Sequence, residues 1–265
     1  MVQSNARIVY NRKVRANFWH CSLRIPAIAA QAEAGQFVNI RVNDSAQPLL
    51  RRPFSIHRAK GSLIEILYEV VGKGSEILSQ RKVGGYLDII GPLGKGFDCA
   101  LRTTHDAIPT IVAGGMGVAP LVFLAEKLAG VKSQKSKVKI VVLIGAKTKN
   151  QILCEKEFKK LGCEVRIATD DGSRGFKGKV TDLLKNLLST MDRRPSTIYS
   201  CGPRPLLRVV SELSKSHKIP AQISLEEHLA CGIGACLGCV VNTRDGFKRV
   251  CKEGPVLNAS EIIWD

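Results

Sequence analysis

Thr110-Ile111-Val112-Ala113-Gly114-Gly115-Met116-Gly117-Val118-Ala119-Pro120 decides the fold of this 265-residue chain. Thr110 to Ala113 read as a buried strand. Three glycines within four residues turn the chain, and Pro120 suits the first turn of a helix. In doubly wound parallel sheets, the first strand-to-helix turn is where nucleotides bind, because the free N–H groups of the helix start face the phosphates. The run is not the strict G-x-G-x-x-G fingerprint. A plain structural turn is the alternative, but it would not need three glycines.

Toward the C-terminus the same rhythm continues. Strands are predicted over Val138–Ile144, Glu164–Thr169, Thr197–Ser200 and Gln222–Leu225, with the last closing the sheet. Helices are predicted over Ala119–Ala129, Cys154–Leu161, Val180–Leu188 and Pro205–Ser216. Strands alternating with helices give an α/β, doubly wound parallel sheet. Toward the N-terminus the pattern is β: Asn5–Lys13, Phe18–Ile25, Gln36–Val42, Arg52–Arg58, Ser62–Val71 and Tyr86–Ile90, punctuated by Gly and Pro. Six short strands predict a small antiparallel β-barrel, with one short helix over Ser75–Gln80. The expected domains are a barrel over 1–101, an α/β domain over 102–225 and a small subdomain over 226–265 with a hairpin over Val240–Val250.

The third part holds Cys231, Cys236, Cys239 and Cys251, spaced C-x4-C-x2-C-x11-C. This is the plant-type spacing for a 2Fe-2S cluster, in which four thiolates converge on two irons. Gly232, Gly234 and Gly238 suit the tight loop, because Gly accepts positive φ and lets backbone N–H groups approach the sulfurs. The alternative is structural zinc, which more often uses two C-x2-C pairs. The other five cysteines, Cys21, Cys99, Cys154, Cys163 and Cys201, show no pairing logic. With no apolar leader over Met1 to Arg15, free thiols in a reducing cytoplasm are expected. No stretch approaches the roughly 18 apolar residues of a membrane span.

The formal net charge is +17, and residues 127–160 hold ten Lys against Glu155 and Glu157. A basic nucleic-acid-binding protein without redox activity is one reading. The charge is spread, no nucleic-acid motif is present and aromatics make up only 5%. A solvated basic face is the plainer account, and neither nucleic acid nor membrane is expected as a partner.

Four further stretches carry chemistry. Arg52-Pro53-Phe54-Ser55 places an Arg, suited to bidentate phosphate binding, three residues before a hydroxyl; a surface Arg on a strand is the bland alternative. Gly72-Lys73-Gly74-Ser75 opens a helix and offers N–H groups to a pyrophosphate, or is a simple turn with Ser75 as N-cap. Tyr199-Ser200-Cys201-Gly202-Pro203 sits at the carboxyl edge of the α/β sheet, where a small thiol and a Gly let a flat ring approach; an inert buried thiol is the alternative. Thr169-Asp170-Asp171-Gly172-Ser173 ends another strand on that edge, where an Asp accepts from a ribose hydroxyl or simply forms a turn.

Together these motifs resemble the ferredoxin–NADP reductase superfamily, in which a flavin-binding barrel precedes a nicotinamide-binding domain. Gly91-Pro92-Leu93-Gly94 adds to the match. The tail, Glu226-Glu227-His228-Leu229-Ala230-Cys231 through Cys236 with Val250-Cys251-Lys252-Glu253-Gly254-Pro255-Val256, is similar to the electron-transfer subunits of class 1B dihydroorotate dehydrogenases. The resemblance implies FAD in the barrel, with Arg52 on its pyrophosphate, Ser55 beside the isoalloxazine, and Pro53, Phe54, Leu67, Tyr68, Glu69, Gly74 and Ser75 in the flavin-contacting stretches. It implies NAD at Gly114, Gly115, Gly117, Asp170, Cys201, Gly202 and Pro203, and a cluster on Cys231, Cys236, Cys239 and Cys251. It also implies an FMN-containing catalytic partner in a heterotetramer of two of each, with electrons passing through the cluster and FAD to NAD+ in pyrimidine biosynthesis. No catalytic residue for the dehydrogenation itself is expected on this chain. Glu69 stands where the family usually has a basic residue. Lys147 and Lys149 are cations that suit a 2′-phosphate, so NADP stays open. A reductase subunit of another flavoprotein complex, such as a ferredoxin:NADP oxidoreductase, is the rival; there an Asp replaces the first cluster Cys, whereas Cys231 is present here.

Overall fold

The computed structural model describes residues 1–100, 108–130, 139–190 and 195–264. The expected boundary at 101/102 and the predicted strand start at Val138 lie outside the described residues. The N-terminal part is an antiparallel sheet of seven strands. They are β1 (Val2–Arg15), β2 (Phe18–Arg24), β3 (Phe37–Arg41), β4 (Arg52–Ser55), β5 (Arg58–Lys60), β6 (Leu63–Glu69) and β7 (Tyr86–Leu93). Their order is β4-β3-β7-β1-β2-β6-β5.

The predicted strand Arg52–Arg58 is thus two strands at opposite ends of the sheet. Only Ile56 and His57 separate them, so the sheet must curl until its edges meet, which makes the barrel. The reason is a change of partner. The Ile56 N–H donates to the Gln36 carbonyl at 3.0 Å, and the His57 N–H donates to the Glu65 carbonyl at 2.8 Å. Both side chains are buried, so apolar patterning alone hides the break. Two short helices complete this part: α1 (Pro26–Ala29) and α2 (Lys73–Gln80).

The second sheet has the order β11-β10-β9-β8-β12-β13-β16, where β8 is Ile108–Gly114, β9 Val141–Ala146, β10 Glu164–Thr169, β11 Phe176–Lys177, β12 Pro195–Cys201, β13 Ala221–Ser224 and β16 Val256–Asn258. The remaining hairpin strands are β14 (Val240–Thr243) and β15 (Gly246–Arg249). Strands β8 to β13 pair in parallel. Helices α3 (Val118–Gly130), α4 (Glu155–Lys160), α5 (Val180–Thr190) and α6 (Arg204–Ser216) follow the strands. β8 is buried along its whole length, as expected of a strand covered on both faces.

β13 does not close this sheet, contrary to the sequence expectation. β16 pairs with it antiparallel, Ile223 opposite Leu257. The cysteine segment therefore returns to the second, largely parallel sheet and is fastened to its edge. Three residues of strand carry too little periodicity to be read beforehand. Phe97 packs edge-on to Tyr199 at 5.8 Å, and the Tyr199 hydroxyl donates to the Asp98 carbonyl at 3.1 Å, which joins the barrel's exit to β12. Among the described residues no helix is long and apolar enough to cross a membrane.

Candidate functional site

β4 holds Arg52, Pro53, Phe54 and Ser55, all half-buried. Arg52 runs across the first turn of α2: a Cβ on Gly74 would lie 2.7 Å from Arg52 Nε and 3.0 Å from its Cγ. Two stretches that are individually ambiguous in sequence therefore face one another, and only Gly leaves the guanidinium this room. The first turn of a helix leaves its N–H groups without helical acceptors. A guanidinium beside those donors makes a cradle suited to a pyrophosphate. The alternative of a simple turn with Ser75 as N-cap does not hold in that form; Gly72 is the N-cap, and Ser75 is the third helical residue. Its Oγ accepts from the Val71 and Gly72 N–H groups at 3.0 and 3.2 Å, so it shapes the turn rather than starting the helix.

Phe54 meets Tyr68 edge-on at 5.5 Å. Leu67 and Tyr68 are buried and Glu69 is half-buried. The Tyr68 hydroxyl donates to Asn11 Oδ1 at 3.0 Å, and Asn11 Nδ2 donates to the carbonyls of Leu78 at 2.8 Å and Arg81 at 3.2 Å. Asn11 thus ties the end of α2 to the barrel. A single Asn within a strand gives no pattern, and sequence reasoning missed it.

The nicotinamide-type stretches also converge. β8 and β12 are parallel neighbours, with Ala113 opposite Cys201. A Cβ on Gly117 would collide with the Cys201 carbonyl, and one on Gly114 would come within 3.0 Å of Pro203 Cδ. Gly202 has φ +157, and a Cβ there would lie 3.1 Å from Gly114 Cα. These glycines are needed for the two turns to touch. Gly115, at φ +54, faces open space. Burial pushes the Cys201 thiol up to about 12, against the smaller opposing effect of the Ser224 hydroxyl, so the side chain is a neutral, compact group at the sheet edge.

Asp170 follows β10, exposed, with Lys179 Nζ 2.8 Å from Oδ2. Lys147 is exposed, and the Lys149 N–H donates to Ser173 Oγ at 2.8 Å, joining the turns after β9 and β10. Arg15, Lys149 and Arg174 line a basic concavity where the β1–β2 turn meets these loops.

The cysteine loop wraps around Cys231. Its Sγ accepts from the N–H groups of Ile233, Ala235 and Cys236 at 3.5, 3.3 and 3.4 Å. Burial raises this thiol's pKa, but the three donors outweigh it and lower the value to about 6. Gly232 and Gly234 have φ +71 and +85, whereas Gly238 does not take up the left-handed region; the neighbouring Leu237, at φ +59, does. The thiols fall into two pairs. Cys231 is linked to Cys236, whose N–H donates to its Sγ at 3.4 Å. The Cys251 N–H donates to Cys239 Sγ at 3.4 Å, and burial followed by that neighbouring thiol pushes Cys251 up to about 12. Two thiol pairs with backbone donors suit two bridged irons, with one pair on each. Cys239 and Cys251 are buried, while Cys236 is exposed, as are the apolar side chains of Ile233 and Leu237 in the same loop and of Val240 and Phe247 in the following hairpin.

Two supports of this loop escaped sequence reasoning. Arg249 Nη1 donates to the Gly234 carbonyl at 2.7 Å, and its Nε donates to Glu253 at 3.0 Å. That guanidinium holds the Glu253 carboxyl down to about 2. Asn39, on β3 opposite Pro53, donates to the Cys231 carbonyl at 3.2 Å. None of the nine cysteines is in a disulfide.

Residues 226–263 match the family described as the iron-sulfur cluster binding domain of dihydroorotate dehydrogenase B, and residues 111–212 match the oxidoreductase NAD-binding domain. The chain is 41% identical to the electron transfer subunit of dihydroorotate dehydrogenase B (NAD+) of Desulforamulus reducens, over 98% of each chain. It is 38% identical to the protein of that name from Geobacillus thermodenitrificans, over 97% of this chain and 96% of the other. The solved structure of an NADH-dependent reduced ferredoxin-NADP oxidoreductase superposes with a TM-score of 0.83 at 27% identity, over 98% of this chain and 90% of that one. A flavohemoglobin from Malassezia yamatoensis with bound FAD shares the fold at a TM-score of 0.65 and 20% identity, over 83% of this chain and 58% of that one.

Proposed function

The chain belongs to the family of electron-transfer subunits of dihydroorotate dehydrogenase B (NAD+), and from that premise we propose that it passes electrons from an FMN-containing catalytic subunit through a 2Fe-2S cluster and FAD to NAD+ in pyrimidine biosynthesis. The cysteine loop carries this reading: two thiol pairs, fed by backbone donors, at the edge of a nicotinamide-type sheet. In the roles we assign, Cys231, Cys236, Cys239 and Cys251 hold the cluster. Arg52 and the first turn of α2 hold the FAD pyrophosphate, with Ser55 and Phe54 toward the ring and Tyr68 backing them. The Gly114–Gly117 turn, Cys201, Gly202 and Pro203 receive the nicotinamide, and Asp170 takes a ribose hydroxyl. The bound flavin supplies the exchange between one-electron and two-electron transfer, and the protein supplies position and electrostatics.

Labour divides as 1–101 for FAD, 102–225 for the nicotinamide and 226–265 for the cluster. The partner docks over the cysteine loop, in a heterotetramer of two of each subunit. The cytoplasm is the proposed location, since its redox poise keeps the five thiols outside the cluster reduced.

A second reading, a subunit of a ferredoxin-NADP oxidoreductase type complex, is favoured by the 0.83 superposition. Co-purification separates the two. A tagged chain should bring down an FMN protein and, with it, reduce NAD+ on addition of dihydroorotate. A different flavoprotein in the pull-down, with no dihydroorotate-dependent activity, would favour the second reading.

A further inference from the structure

His20, His57 and Glu65 cluster where the barrel meets α3, and none of them has a role in the reading above. His20 stands on β2, Glu65 on the adjoining β6, and His57 in the two-residue crossing between β4 and β5. One ligand atom from each lies within 4.8 Å of the other two. The backbone fixes the arrangement, since the His57 N–H donates to the Glu65 carbonyl at 2.8 Å. The two imidazoles meet edge to face at 5.4 Å.

The orientation of His57 is informative. Its Nδ1 lies 2.7 Å from the Ala119 carbonyl of α3. A carbonyl only accepts, so Nδ1 bears a proton. The ring is 1% exposed, which favours the neutral form, and Nε2 therefore keeps its lone pair. A histidine whose far nitrogen donates to a backbone carbonyl is the usual second-shell arrangement of a metal-ligating imidazole. His20 Nε2 lies 3.0 Å from Glu65 Oε2 and 3.1 Å from the Tyr10 hydroxyl. The pair is hydrogen-bonded, and two ligand atoms on one tetrahedral ion with bonds of about 2.0 Å stand only slightly further apart, at about 3.3 Å.

Charge points the same way. Arg58 Nε donates to Glu126 at 2.6 Å, and its Nη1 is 3.9 Å from Glu65. Two carboxylates thus share one guanidinium, which leaves one negative charge in the seam. His20 and Glu65 are partly exposed, which gives an ion access from solvent.

We propose that His20, His57 and Glu65 bind a divalent transition ion of the zinc class, with water completing the shell, at the junction of barrel and α3. Two imidazoles and one carboxylate are a donor set for zinc. The ion would link β2, β6 and, through the His57–Ala119 bond, α3. This site is separate from the cysteine loop and does not depend on the proposed electron route.

The test is zinc loading of the holoprotein with FAD and cluster in place. After incubation with zinc chloride and desalting, about one zinc per chain should remain, with iron and labile sulfide unchanged. Zinc-edge X-ray absorption should show N/O scatterers near 2.0 Å with imidazole outer shells, and no sulfur near 2.3 Å. His20→Gln, His57→Gln and Glu65→Gln should each weaken retention at least tenfold. Should His57→Gln fail to fold, the partly exposed His20 and Glu65 variants decide. No retained zinc, sulfur in the zinc shell, or full retention in the His20 and Glu65 variants would each overturn the proposal.

Discussion

Asn39 Nδ2 donates to the Cys231 carbonyl at 3.2 Å, although 192 residues separate them in the chain. Asn39 lies opposite Pro53 in the β3–β4 pairing, so the strand next to the one assigned to the flavin is connected by one side chain with the loop assigned to the cluster. Gly232 is part of the same contact, because a Cβ there would collide with Asn39 Nδ2. Asn39→Ala removes a hydrogen bond worth about 1 kcal/mol and loosens the loop at Cys231. The expected result is faster loss of the visible cluster absorbance under air, with FAD content unchanged. An unaltered bleaching rate would show that the link is incidental.

The approach of Arg52 to Gly74 gives a second prediction. Arg52→Ala removes a charge-assisted phosphate contact worth roughly 1.5–3 kcal/mol, about tenfold to a hundredfold in affinity. Gly74→Ala should reproduce part of that loss by pushing the guanidinium aside, since its Cβ would sit 2.7 Å from Arg52 Nε. Both variants should purify with depleted FAD and retain their iron. Full FAD occupancy in Arg52→Ala would remove that residue from the site.

The cysteine loop is tested by chemical analysis. Anaerobically purified protein should hold about two irons and two acid-labile sulfides per chain. Cys251→Ala should lose both. Cys163→Ala should lose neither, since Cys163 lies in the turn between α4 and β10. Stoichiometric zinc at these thiols without labile sulfide would refute the cluster.

How much of this was legible in the sequence follows from how far each signal reaches. The strand-turn-helix at Thr110–Pro120 and the spacing of four cysteines are local, and the sheet class and the loop were readable from them. The barrel was readable as a class but not in its closure, because the crossing at Ile56 and His57 depends on a change of strand partner that buried residues disguise. β16 was invisible, since three residues acquire strand character only by lying against β13. Asn11, Asn39 and Arg249 support the site through contacts with distant backbone carbonyls, and single polar residues leave no periodic trace. The Gly74–Arg52 and Gly117–Cys201 approaches show the same limit: each glycine was conspicuous, but the atom it makes room for lies elsewhere in the chain.

At the nicotinamide turn, two neighbouring glycines should behave differently. Gly117→Ala drives a Cβ into the Cys201 carbonyl, and relief of that clash must move β8 or β12. Overpacking of this kind costs about 1–3 kcal/mol, and NADH-dependent flavin reduction should fall at least tenfold. Gly115→Ala meets open space and bears only its left-handed strain at φ +54, about 1 kcal/mol. Its folded stability should drop less than that of Gly117→Ala in urea denaturation. Equal behaviour of the two would sever the turn from Cys201.

Coenzyme choice should follow Asp170. Its carboxylate is paired with Lys179 at 2.8 Å, and in the proposed role its free oxygen accepts from a ribose hydroxyl, which a 2′-phosphate cannot donate. Flavin reduction should be faster with NADH than with NADPH at equal concentration. Asp170→Ser should narrow the gap by about tenfold, the size of one lost discrimination near 1.4 kcal/mol. A native preference for NADPH would instead implicate Lys147, Lys149 and the basic concavity that Lys149 lines.

The last prediction concerns division of labour between subunits. Oxidising dihydroorotate requires a general base placed beside a flavin face that holds the substrate. The residues assigned here are committed to FAD, the nicotinamide and the cluster, and none is assigned as that base. The isolated chain should reduce artificial acceptors with NADH and be inert toward dihydroorotate. Mixing with an FMN-containing catalytic subunit should restore dihydroorotate-dependent NAD+ reduction. Phe247, opposite Asn242 in the hairpin that joins Cys239 to Cys251, is 77% exposed, and a large aromatic left in water is a candidate anchor for that partner. Phe247→Glu should therefore weaken the complex at least tenfold in titration calorimetry while leaving NADH-to-dye activity unchanged. Loss of dye activity in that variant would mean that the hairpin stabilises the fold rather than the interface. A homogeneous single-chain preparation that makes orotate would sink the subunit reading itself.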